Sequence, residues 1–173
     1  DEVIAIAGNS VRCINGQGQV IWQQDTEGVG LSMDVYDLDG DGHAEVVVGD
    51  DAYKLYCFGC QGDVRWSMLS RSDASDAVTE PQRGKIVALG CADINGDGKG
   101  EIVFGSTNHL VYAYDYEQRL LWKHTNNMKT QLSIAFVPLG DGTLGSLIGS
   151  SYASASLFAP ADGAGLAGVS AGY

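Results

Sequence analysis

The feature that most restricts how this chain can fold is an internal repeat. Three twelve-residue segments align without gaps, each running from an extended stretch through a turn to a tryptophan. They are residues 11–22 (VRCINGQGQVIW), 55–66 (LYCFGCQGDVRW) and 111–122 (VYAYDYEQRLLW). Residues 157–168 (LFAPADGAGLAG) read as a degenerate fourth copy, with Gly168 in the tryptophan position. A second block lies upstream of each segment: DLDGDGHAEVVVG at 37–49, DINGDGKGEIVFG at 93–105 and a decayed VPLGDGTLGSLIG at 137–149. Glu2-Val3-Ile4 matches only the end of that block, so the first unit starts in its middle. Trp66 and Trp122 are further apart than Trp22 and Trp66, and the polar stretch 70–82 accounts for the excess as an inserted loop. A period in this range indicates stacked supersecondary units.

Each full unit holds four short runs rich in Val, Ile, Leu, Tyr and Phe, separated by Gly, Asp and Asn. In the second unit they are 31–36, 45–49, 54–58 and 64–68. No segment keeps a 3.6-residue apolar period with helix caps. Four strands in a unit of this length is the pattern of a β-propeller blade. A sandwich or barrel would have to produce the ungapped match by accident. The expected fold is therefore all-β, with blades of four antiparallel strands. Residues 1–28 form a partial blade, 29–82 a blade with an inserted loop, 83–128 a third and 129–173 a degenerate fourth. That makes about three and three-quarter blades, and the ring is not expected to close within this chain.

The acidic blocks carry the chemistry. Asp37, Asp39, Asp41 and Glu45 occupy positions 1, 3, 5 and 9 of the first loop, and Asp93, Asn95, Asp97 and Glu101 the same positions of the second. Carboxylates this close repel one another. A hard divalent cation gives them a reason to converge, since calcium takes six to eight oxygens at about 2.3–2.6 Å. Position 7 would offer its backbone carbonyl, which assigns His43 and Lys99 a main-chain role. An EF-hand is excluded, because its closing acid belongs at position 12, where Val48 and Phe104 stand. The plain alternative is an Asp- and Gly-rich hairpin turn; two loops with matching ninth-position glutamates favour metal. The third loop keeps Asp141 and Gly142 but has Val137, Leu139 and Gly145 at ligand positions, and is expected to turn without metal. Glu2 holds the ninth position of a site whose other ligands are absent.

These loops resemble the calcium loops of FG-GAP/VCBS-type repeats, as in integrin alpha-subunit propellers and many bacterial surface proteins. The segments at 55–66 and 111–122 resemble the third and fourth strands of such blades, and also of PQQ-like repeats. The similarity covers most of residues 1–135. It implies two calcium ions per chain with a structural role, held by Asp37, Asp39, Asp41, His43 and Glu45, and by Asp93, Asn95, Asp97, Lys99 and Glu101. Family members usually bind their ligands through other loops on one face of the propeller, and carry more blades than this chain supplies. Two explanations stand: a longer parent sequence, which the start at Asp1 without methionine suggests, or copies joined edge to edge, since unpaired strand edges invite pairing.

Composition narrows the function. Ten Lys plus Arg against 22 Asp plus Glu give a formal charge of −12, which argues against nucleic acid, whose phosphates need clustered cations. No apolar run is long enough to span a membrane. Cys57-x-x-Cys60 lacks the following helix of a redox motif and the second pair of a zinc site; a disulfide between them is left open. Cys13 and Cys57 share one repeat position and read as small core residues. His43, His109 and His124 do not cluster in sequence, and no nucleophile elbow, phosphate loop or HExxH occurs, so no catalytic residue is assigned. Trp22, Trp66 and Trp122 are expected to pack between blades. The tail 150–173 reads as a degraded last blade or as a segment ordered by a partner.

Three functions fit these residues. The first is a non-catalytic, calcium-stabilised module of an extracellular or cell-surface protein that adheres or binds a glycan or protein ligand. The second is a structural subunit whose blades dock between chains. The third is the propeller of a carbohydrate-active enzyme such as a polysaccharide lyase, for which only Arg83, Lys85 and the scattered histidines offer positive charge.

Overall fold

The computed structural model of the chain describes residues 2–70, 84–125, 130–151 and 154–170. Among them every regular element is a strand. The first sheet has three strands, β1 (Glu2–Ala7), β2 (Ser10–Asn15) and β3 (Val20–Asp25). Three four-stranded sheets follow. The second blade is β4 (Gly30–Tyr36), β5 (Glu45–Asp50), β6 (Lys54–Phe58) and β7 (Val64–Leu69). The third is β8 (Ile86–Ala92), β9 (Glu101–Ser106), β10 (Leu110–Tyr114) and β11 (Leu120–Thr125). The fourth is β12 (Gln131–Pro138), β13 (Leu144–Ser150), β14 (Ser154–Phe158) and β15 (Gly165–Ser170). Each sheet is an antiparallel meander in sequence order, so paired strands are also neighbours along the chain. Among the described residues the sheets do not close into a ring.

The apolar runs of β5 and β9 are buried on both faces because each lies between two blades. Successive side chains point to opposite faces of a strand. Val46 and Val48 accordingly pack toward the first blade, with Val11, Cys13, Trp22 and Phe58, while Val47 packs toward the third, with Ile86, Cys91, Ile102 and Phe104. One blade on, Val103 joins Ile148 and Phe158 of the fourth blade. Each fully buried Val or Ile contributes about 1.5–3 kcal/mol relative to exposure. The glycine that ends each block is part of the same packing: a Cβ on Gly49 would come within 2.3 Å of Ile86, the first residue of the neighbouring inner strand β8.

Tryptophans fasten one blade to the next. Trp22 donates its Nε1–H to the carbonyl of Cys60 at 3.1 Å, and Trp122 does the same to Pro160 at 3.0 Å. Both side chains are buried. Trp66 packs against the core shared by the second and third blades, but its buried Nε1 has no acceptor among the described residues.

The tail forms a blade, and its register corrects the sequence alignment. Leu157 pairs with Ala167 where Cys57 pairs with Trp66, so Ala167, rather than Gly168, stands in the tryptophan position. Two offsets combine: β14 aligns with Leu157 on Cys57 rather than on Leu55, and the β14–β15 turn then adds one residue, Ala159 bonding to Ala164 whereas Gly59 bonds to Asp63. The inserted loop at 70–82 lies outside the described residues except for Ser70, whose hydroxyl donates to the Gly84 carbonyl at 3.0 Å. All four cysteines are free thiols, with Cys13, Cys57 and Cys91 buried and Cys60 exposed.

Candidate metal centre

The acidic loops connect β4 to β5 and β8 to β9. Both have the same backbone, with Gly40 and Gly96 at φ 79° and Gly42 and Gly98 at φ 89°. That left-handed region is open to glycine at little cost. The carboxylate-poor third loop keeps the shape, with Gly140 and Gly142 at φ 89° and 93°. Loop geometry is thus set by the glycines, and the carboxylates are additions to it.

In the first loop Asp37 accepts from Gly40 N–H through Oδ1 and from Gly42 N–H through Oδ2, both at 2.9 Å. Asp41 N–H donates to Asp39 Oδ1 at 3.1 Å, and His43 N–H to Asp41 Oδ1 at 2.7 Å. Glu45, at the start of β5, is fully buried. Its Oε2 accepts from Leu38 N–H at 3.0 Å, while its Oε1 is buried with no hydrogen-bond partner among the described residues. Asp37, Asp39 and Glu45 each bring a carboxylate oxygen within 4.8 Å of the others. Asp41 and His43 lie on the exposed side of the loop. Burial, then the neighbouring carboxylates of Asp39, Asp41 and Asp37, push the Glu45 carboxyl above its ordinary range, against the lowering effect of the Leu38 bond.

The second loop repeats the frame. Asp93 accepts from Gly96 and Gly98 at 2.7 and 2.9 Å, Lys99 N–H donates to Asp97 Oδ1 at 2.9 Å, and Ile94 N–H donates to Glu101 Oε2 at 2.9 Å. The difference is at position 3. Asn95 donates its amide Nδ2–H to Glu101 Oε1 at 2.9 Å and to Asp97 Oδ2 at 3.2 Å. Burial pushes the Glu101 carboxyl up to about 7. In the third loop Asp141 Oδ1 is taken by the Thr143 amide and hydroxyl, consistent with a plain turn.

Three oxygens of the first loop fit a hard divalent cation. A buried carboxylate oxygen without a donor, on a glutamate clustered with two further carboxylates, is costly as it stands and is what an oxygen-seeking ion would satisfy. The buried thiols offer no competing chemistry: burial pushes Cys57 up to about 12 and Cys91 well above the ordinary thiol range. Among the described residues, those considered for a polysaccharide-cleaving site lie on separate strands and loops. Lys85 pairs with Asp51, His43 is exposed in the first loop, His109 sits in a left-handed turn and His124 stacks on Phe158, and Arg83 lies outside the described residues.

A family model described as FG-GAP-like repeat matches residues 37–104. That span contains both acidic loops. No curated protein matches the chain. Among solved structures it is similar to BamB from Moraxella catarrhalis, at 18% identity and a TM-score of 0.68, over 100% of this chain and 47% of that one. It is also similar to BBS1N in complex with ARL6DN, soaked with mercury, at 14% identity and a TM-score of 0.68, over 99% of this chain and 53% of that one. The lead-soaked form of that complex matches at 14% identity and 0.62, over 87% and 41%. Identities this low show the fold alone, and the fold is that of a β-propeller. The chain spans about half the length of these structures.

Proposed function

We propose that this chain is a non-catalytic, calcium-binding β-propeller module of an extracellular or cell-surface protein, in which calcium stabilises the blades. The observation that carries the reading is Glu45: fully buried, held through one oxygen by Leu38, and turning a partnerless oxygen toward Asp37 and Asp39. Bound calcium would neutralise that cluster. Asp37, Asp39 and Glu45 would hold it, with the Asp41 carboxylate and the His43 carbonyl as further oxygens; Asp93, Asn95, Asp97, Lys99 and Glu101 are the corresponding groups one blade on.

FG-GAP repeats are typical of extracellular proteins, which supports the location. A polar cleft beside the first loop, lined by Gln24, His43, Cys60, Gln61, Asp63 and Arg65, offers amides and charges to a glycan or protein ligand. The blades that would complete the ring come from elsewhere in the same protein or from another copy. Binding to the folded state alone adds about 2.7 kcal/mol at a hundredfold excess over Kd. The melting temperature of chelator-treated protein should therefore rise on adding calcium chloride. No rise, together with no heat in a calorimetric titration, would remove the calcium reading.

A further inference from the structure

The two acidic loops share a backbone but are not equivalent, and the difference lies in one amide. In the first loop Asp39 Oδ1 accepts from the Asp41 amide, which leaves Oδ2 for the site. In the second loop the Asp97 amide donates to Asn95 Oδ1 at 2.8 Å. That bond fixes which end of the side chain is oxygen, because a backbone N–H can only donate. The other end, an NH2 with no lone pair to give, faces inward. It meets Glu101 Oε1 at 2.9 Å and Asp97 Oδ2 at 3.2 Å.

Loop one thus presents three converging carboxylates and one buried oxygen with no partner. Loop two has already satisfied the matching oxygen of its buried glutamate. An ion entering loop one meets a buried Glu45 oxygen that has no donor to lose. An ion entering loop two must displace charge-assisted hydrogen bonds and turn the amide over, giving up its bond to the Asp97 amide.

We infer that the two loops form a graded pair: the Asp37–Glu45 loop is the tight calcium site, and Asn95 acts as an internal latch that makes the Asp93–Glu101 loop the weak one. This rests on the calcium reading above. Hydrogen bonds to charged groups are worth about 1.5–3 kcal/mol, so the weak step should lie about ten- to hundredfold above the tight one in Kd. The weak loop would then fill and empty at calcium levels where the tight loop stays loaded.

The test is calorimetric titration of calcium chloride into chelator-stripped full chain, with Asn95→Asp and Asp39→Asn as mirrored, nearly isosteric variants and circular dichroism as a check on folding. The expected wild-type isotherm has two steps at least tenfold apart. Asn95→Asp should tighten the weak step about tenfold or more and leave the tight step in place, whereas Asp39→Asn should weaken the tight step. One ion bound by wild type and two by Asn95→Asp would be the extreme form of the same result. Two equivalent sites, or a weak step that Asn95→Asp does not move, would overturn the latch while leaving calcium binding intact. Absence of any calcium binding would overturn both.

Discussion

The amide of Gly100 donates to the carbonyl of Leu38 at 2.9 Å, tying the second acidic loop to the first. One loop further on, Leu144 N–H bonds to the Ile94 carbonyl at 2.9 Å. Leu38 and Ile94 are also the residues whose amides hold Glu45 and Glu101. Each buried glutamate is therefore held by a residue whose carbonyl anchors the next blade.

Close approach at that junction depends on Gly100 having no side chain. A Cβ there would lie 2.6 Å from Tyr36 Cδ1 and 2.8 Å from Leu38 Cδ2. Gly100→Ala should destabilise the chain by about 1–3 kcal/mol, the usual cost of overpacking, read as a lower urea midpoint with an unchanged slope. An unchanged midpoint would mean that the loops can part without loss.

Glu45→Gln separates the cost of the buried charge from its use. The glutamine keeps an oxygen for Leu38 N–H and places an amide toward Asp37 and Asp39. Metal-free protein should melt at or above the wild-type temperature, because a buried charge has been removed. The calcium-induced rise should shrink. A variant that is less stable without calcium yet gains as much from it would contradict the role assigned to Glu45.

Acidity should act through Glu101, whose carboxyl is raised to about 7 in the folded, metal-free chain against about 4.3 in an unfolded one. With the folded value above the unfolded one, folding binds a proton between these pH values. Glu101 thus adds stability to the metal-free chain at low pH, and this is lost as pH rises through about 7. Metal ligation needs the carboxylate, so calcium competes with that proton. The calcium-induced rise in melting temperature should be small near pH 5 and larger near pH 8. A rise that is flat across this range would place the proton elsewhere.

Local chemistry was the legible part of the sequence. Strands, turns and both acidic loops follow from side-chain alternation and from Gly and Asp at fixed spacing, all within a dozen residues of one another. The illegible parts depend on contacts between units. A two-residue realignment of β14, partly offset by one added residue in the β14–β15 turn, puts Ala167 in the tryptophan position, which composition does not signal. The inward NH2 of Asn95 depends on which amide claims its oxygen. Asp and Asn look interchangeable in a turn motif and differ only when a buried glutamate lies behind them.

The three tryptophans occupy equal places in the repeat and unequal ones in the fold. Trp22 and Trp122 bond to carbonyls of the next blade, 38 residues along the chain; Trp66 Nε1 has no acceptor among the described residues. Replacement by phenylalanine removes ring volume at all three sites and a hydrogen bond at two. A buried acceptor left without its donor costs about 1–3 kcal/mol. Trp22→Phe and Trp122→Phe should each be more destabilising than Trp66→Phe by about 1–2 kcal/mol in chemical denaturation. Equal losses at all three positions would assign the tryptophans to packing alone and leave the blade-to-blade hydrogen bonds without a net effect on stability.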